Sequence, residues 1–190
     1  MTKSIRFAAA AASFAAALTL AAPAVADSDE IVTAALAELA ARQAADATIE
    51  RNLDTFDALD FEVFSGQQWD RLHESHAEDI VVHWPDGRTT TGIDVHIEDL
   101  KAFFTFAPDT SIKEHPIRIG QGEWTGVVGV ITGTWSEPMQ VGPDTFLEPT
   151  GKPYTLTMAT IGHWTDEGVM DEEFLFWDNH AFYKQIGLIE

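Results

Sequence analysis

The sequence predicts an α+β fold, with helices laid on one face of an antiparallel sheet. Two observations carry this. Helix-forming segments with an apolar stripe dominate the first part of the chain, and segments rich in Thr, Val, Ile and aromatics, broken by Gly-, Pro- and Asp-containing loops, dominate the rest. The length, 190 residues, suits one domain with a single core.

The chain opens with Lys3 and Arg6, an apolar run from Phe7 to Leu20, and the small-residue pattern Ala24-Val25-Ala26. That order predicts a signal peptide over residues 1–26, cut after Ala26, and so a periplasmic or secreted protein. The apolar run is short for a bilayer-spanning anchor, the alternative reading. Asp29 to about Ala47 is rich in Ala, Leu, Glu, Arg and Gln, strong helix formers, but an Ala-dominated face buries little. Residues 27–47 therefore read as an Ala-rich helical N-terminal extension, and residues 48–190 as the functional domain.

Ile49, Leu53, Phe56, Leu59 and Val63 repeat at helical spacing until Ser65-Gly66. A shorter helix is predicted over Gln67–His76, and then a strand over Ile80–Trp84. Pro85-Asp86-Gly87 is a turn, Pro fixing φ and Gly accepting a positive one. A helix from Asp94 to about Phe106 turns Ile97, Leu100, Phe103 and Phe104 to one side, and Pro108-Asp109 ends it. Strands follow over Ser111–Ile119, Glu123–Trp135, Tyr154–Trp164 and Val169–Asp178. A last helix, Ala181–Ile186, stops at Gly187.

Charge and composition exclude several functions. With 11 basic residues against 31 acidic the net charge is −20, and loss of Lys3 and Arg6 with the leader makes it −22. Such a surface repels nucleic acid and anionic membrane. The absence of Cys excludes disulfides and thiol catalysis. Neither a Gly-rich phosphate loop nor a G-x-S-x-G elbow is present, which argues against nucleotide binding and serine hydrolase chemistry.

Four stretches, in order, resemble a known family. VVHWPDGRTTTGIDVHIEDLKAFF is similar to its strand, Pro-Asp-Gly turn, Gly and helix, and FAPDTSI to the start of its sheet. PTGKPYTLTMA is similar to its Pro-Thr-Gly loop and next strand, and DEGVMDEEFLFWDNHAFYKQIGL to its closing strand, aspartate and Gln-aliphatic-Gly helix. From about Ile49 onward the chain resembles the SnoaL-like polyketide cyclase (ester cyclase) family of the nuclear transport factor 2-like superfamily. That resemblance implies a cone-shaped, curved antiparallel sheet with helices on its concave face, and ring closure by acid–base chemistry. It implies no metal, flavin or nucleotide. It places the proposed acid–base residue at Asp178 and, at or one residue from the matching position, a second pocket residue at His163. Export sets this chain apart, because a biosynthetic cyclase meets its intermediate in the cytoplasm.

The residues themselves leave alternatives open. Along the last strand Met170, Glu172, Phe174, Phe176 and Asp178 share one face, and Val169, Asp171, Glu173, Leu175 and Trp177 the other. If the first face lines a cavity, drying raises the Asp178 pKa toward neutrality. Asp178 also stands where it would cap the last helix. His163 faces away from Asp178 through a simple three-residue hairpin, and Trp164 then points inward, unless a bulge intervenes. His83 is either a ligand-orienting ring or a solvent-facing rim residue. Trp84, Trp124, Trp135, Trp164, Phe174 and Phe176 are candidates to wall an apolar site of a few hundred Å³. His73 and His76 lack a third ligand, so no metal is expected, and His96, His115 and His180 fall in no constellation.

The expectation is thus an exported, cofactor-independent lyase or isomerase for a small apolar carbonyl compound or ester. Its site combines Asp178 and His163 as catalytic residues with His83, Trp84, Trp135, Trp164, Phe174 and Phe176 against substrate. Its partners are a small apolar molecule and a second copy of the chain, with no nucleic acid and no membrane insertion after cleavage. The alternatives are a non-catalytic periplasmic binding module for an apolar molecule and a dimeric interaction domain with a filled interior.

Overall fold

A computed structural model describes residues 27–190. The predicted leader, 1–26, lies outside the described residues. Contacts divide the chain into a unit ending at Glu38 and a second, Leu39–Glu190, which holds the sheet and the core. No described helix is long and apolar enough to cross a membrane.

Helix α1 spans Ser28–Ala58. Its Ala-rich part is exposed, Ile31, Val32, Leu36 and Leu39 included, and burial begins at Asn52, Leu53 and Phe56. The helix continues as a wider π-helical segment, Leu59–Phe64, which buries Leu59, Asp60, Val63 and Phe64. The segment predicted as a helix over Gln67–His76 is a 3₁₀ turn, Trp69–Glu74, with Leu72 buried.

Strand β1, His76–His83, starts earlier than the sequence suggested. The Pro85-Asp86-Gly87 turn forms as expected, with Gly87 at φ 85° and the Trp84 carbonyl accepting from its N–H at 2.9 Å. β2 (Thr89–Thr91) and α2 (Ile93–Phe106) follow. The predicted strands appear as β3 (Ser111–Ile112), β4 (Ile117–Gln121) and β5 (Trp124–Thr134), then β8 (Pro153–Trp164) and β9 (Met170–Phe176). A small hairpin, β6 (Met139–Gly142) and β7 (Thr145–Leu147), was not foreseen. Helix α3 spans Asn179–Ile186 and stops at Gly187, whose φ of 82° is open to glycine at little cost.

The main sheet has seven strands in the order β2-β1-β9-β8-β5-β3, with β4 also paired to β5. Every pairing is antiparallel except β1 with β9. The curved sheet carries its helices on one face, where Phe56, Leu72, Ile80, Ile112, Trp135, Trp164 and Met170 are almost completely buried.

A bulge in the β8–β9 hairpin decides which side chains look inward. His163 pairs with Glu172, but the register then shifts and Trp164 pairs with Met170. Trp164 and Met170 therefore both lie in the core, and Glu173 and Leu175 face the helices. Gly162 belongs to this arrangement, because a Cβ there would overlap the Met170 sulfur.

Candidate active site

Between the helices and the sheet lies a cavity of about 40 Å³. It has room for a few waters, well below the few hundred Å³ expected from the aromatic content. Apolar walls come from Leu59, Phe64, Trp84, Leu100, Phe103, Ile112, Ile131, Met158, Leu175 and Trp177. Five polar side chains share it: Asp60, His76, His96, Thr160 and Glu173.

Glu173 reaches the cavity from β9 and is 4% exposed. Its Oε2 stands 3.4 Å from His96 Nε2 and 3.9 Å from His76 Nε2. Burial works against the carboxylate, but the two imidazoles outweigh it and hold the pKa below the usual Glu range. Burial lowers His96 to about 4, so this ring is neutral at physiological pH. His76 is held from behind: Ser75 Oγ lies 2.9 Å from its Nδ1 and 3.2 Å from the Leu72 carbonyl. His76 is thus held through Nδ1, and its Nε2 points at the Glu173 carboxylate. His76 Nε2, His96 Nδ1, Glu173 Oε2 and Thr160 Oγ have no hydrogen-bond partner among the described residues.

Asp60 enters from the π-helical segment, buried at 6% exposure. Its Oδ2 is hydrogen-bonded to His115 Nε2 at 2.7 Å, and the other ring nitrogen, Nδ1, to Asp57 Oδ1 at 2.6 Å. Arg118 in turn stands 3.5 Å from Asp57. Burial pushes the Asp60 carboxyl above the usual range, and the His115 contact only partly restrains it. His115 loses by burial but is raised on balance by the two aspartates. The result is a chain of proton-exchanging groups running from the cavity toward the surface.

Most residues singled out from the sequence lie elsewhere. Asp178 is exposed and its Oδ1 accepts from the Ala181 N–H at 3.0 Å, the helix-cap geometry. The correction follows from strand parity: the face bearing Glu173, Leu175 and Trp177 lines the cavity, and the face bearing Phe174 and Phe176 looks away. His163 lies on that other side, its Nδ1 2.6 Å from Asp171 and its Nε2 3.4 Å from Glu123. His83 bonds Glu172 at 2.9 Å and stacks on Phe174 with ring centroids 4.1 Å apart. Phe176 is 54% exposed. Trp135 and Trp164 are core residues, their indole N–H groups donating to the Glu137 carbonyl and to Thr125 Oγ1. Of the eight, Trp84 alone lines the cavity.

The polar residues that do meet there carried a sequence signal. Asp60 follows Phe56 by one helical turn inside the apolar stripe, His96 precedes Leu100 and Phe103 in the same way, and Glu173 alternates with Leu175 and Trp177. Each is a titratable group in a core phase.

The sequence profile of the SnoaL-like polyketide cyclase family matches residues 54–186. The chain belongs to this family. Among solved structures, IdmH from Streptomyces antibioticus, provisionally described as a polyketide cyclase, is 23% identical with a TM-score of 0.60. The match covers 72% of this chain and 98% of that one. A protein of Jannaschia sp. CCS1, provisionally classed as a SnoaL-like polyketide cyclase, is 19% identical with a TM-score of 0.64, over 74% and 94% of the two chains. A Catenulispora acidiphila protein of ketosteroid isomerase-like fold, solved with trimethylamine, is 15% identical with a TM-score of 0.55, over 70% and 92%. None of the curated proteins searched matches the chain. The architecture is that of the nuclear transport factor 2-like superfamily, and family membership supports a cyclase- or isomerase-like function.

Proposed function

We propose that this SnoaL-like domain is an exported acid–base enzyme, a lyase or isomerase for a small apolar carbonyl compound or ester, with Asp60 as the group that exchanges the proton. The observation that carries the reading is a buried carboxyl on the wall of an apolar cavity, raised by burial and joined through His115 to Asp57. A carboxyl raised toward neutrality both removes and returns a proton at useful rates. In the step proposed, Asp60 takes the proton α to a carbonyl, the C–H electron pair passes into the enolate, and Asp60 returns the proton to the same or another carbon. Trp84, Phe103 and Trp177 hold the apolar part of the substrate, and the cavity's size restricts that substrate to small molecules unless these side chains move aside.

The test is α-hydrogen exchange in D2O, followed by NMR, on probes running from acetone to cyclohexanone and ethyl acetate. Exchange above the buffer rate is expected for at least one probe, with a loss of about 10²- to 10⁴-fold in Asp60→Asn. No exchange with any probe, or exchange untouched by Asp60→Asn, would overturn the assignment. A ligand that co-purifies and survives long incubation unchanged would favour the binding-module reading, whose support is the predicted leader.

A further inference from the structure

We infer that His76, His96 and Glu173 form a binding site for one divalent transition-metal ion of the zinc type. The argument begins with stoichiometry of lone pairs. Three side chains, each at least nine-tenths buried, aim ligand-capable atoms at one point, and those atoms all lie within 4.8 Å of one another. Ligands about 2.1 Å from a tetrahedral ion are roughly 3.4 Å apart. The Glu173 separations of 3.4 and 3.9 Å come close to that, and the two histidine nitrogens, within 4.8 Å of each other, move together as the set closes on an ion.

Ser75 holds the His76 ring through Nδ1 and leaves Nε2 directed at the site, the kind of support that metal-bound histidines receive from a neighbouring polar group. His76 Nε2 and Glu173 Oε2 are both buried without a hydrogen-bond partner among the described residues, and a cation between them bonds both. Two His and one Glu are the donor set of zinc sites that keep a fourth position open. Here that position opens into the cavity walled by Trp84 and Trp177.

The site stands on geometry alone, whereas its role rests on the function proposed above. An ion there takes the carbonyl oxygen of the substrate and stabilises the enolate charge as Asp60 removes the α-proton. This departs from the expectation, drawn from the resemblance and from the lack of a third ligand beside His73 and His76, that no metal takes part.

The experiment uses the untagged mature protein, stripped with a chelator and titrated with Co(II), whose visible d–d absorption reports four-coordination. The expected result is saturation at one Co(II) per chain, displaced by one equivalent of Zn(II). Ser75→Ala, which keeps all three ligands, should weaken binding by about 10- to 100-fold. Glu173→Gln and His96→Gln should weaken it further, with unchanged far-UV circular dichroism showing that they fold. Absence of a saturable Co(II) signal in the wild type, meaning that only water occupies the place, would overturn the inference. So would stoichiometric binding that survives Ser75→Ala and Glu173→Gln. The outcome is separable from that of the proposed chemistry: exchange without metal binding sinks only the metal site, and metal binding without exchange sinks only the reaction.

Discussion

Replacing Asp178 separates a helix cap from a catalytic acid. Its carboxylate makes one bond to the first turn of α3, from the Ala181 N–H at 3.0 Å, in solvent. Removing such a cap costs about 1 kcal/mol. It does not cost more here, because α3 is also held by burial of Phe182 and Ile186, at 7% and 0% exposure. For a domain of this length Asp178→Ala should lower Tm by roughly 2–4 °C. Asn caps almost as well as Asp, so Asp178→Asn should lose only a few tenths of a kcal/mol, chiefly the charge–dipole part. Urea unfolding followed by circular dichroism measures both variants, and the α-hydrogen exchange assay is run on the same samples. The cap reading expects both variants to keep full exchange activity, in contrast to Asp60→Asn. Loss of exchange in Asp178→Asn at unchanged stability would refute it and restore the family's acid–base assignment to the last strand.

Gly162→Ala should destabilise the fold by about 1–3 kcal/mol, because the new methyl overlaps the buried Met170 sulfur and the bulge holds both strands in register; a urea midpoint within error of wild type would contradict this. His163 is raised above its ordinary value, first by the hydrogen bond to Asp171, so its contribution to stability is full below about pH 6.5 and lost as pH rises through the folded value. His163→Gln should therefore be less stable than wild type at pH 5–6, by under about 1 kcal/mol because the pair is screened, and equal to it at pH 9 in urea titrations. Trp124, Ile119 and Phe176 leave a broad apolar surface on the strands, 41%, 62% and 54% exposed. If a second copy covers it, light scattering should give two chains for the wild type and one for Trp124→Glu.

The helices and strands were legible because periodicity reports which side chains the core takes. Leu53, Phe56, Leu59 and Val63 are spaced as a buried stripe and are buried; Thr, Val and Ile in β5 and β8 alternate as paired strands do. The hairpin β6–β7 escaped because its residues are mostly exposed and carry little periodic signal. The site was less legible for a different reason. Alternation along β9 separates Glu173 and Leu175 from Phe174 and Phe176, but the bulge breaks it at the strand's start and puts Met170 in the core with Trp164, a shift that alternation alone does not show. Hydrophobicity is a poor guide to a functional interior, since a strand that lines a working cavity gives up apolar burial at the position that does chemistry. Glu173 and Asp60 are such positions, and each depends on a histidine distant in sequence, His76 or His96 for one and His115 for the other. No local pattern joins Asp60 to His115 across the chain; the packing of the π-helical segment against the loop between β3 and β4 does. A charged residue in the core phase of an apolar stripe is thus the sequence signal worth following, and its partner becomes visible only when the elements are packed together.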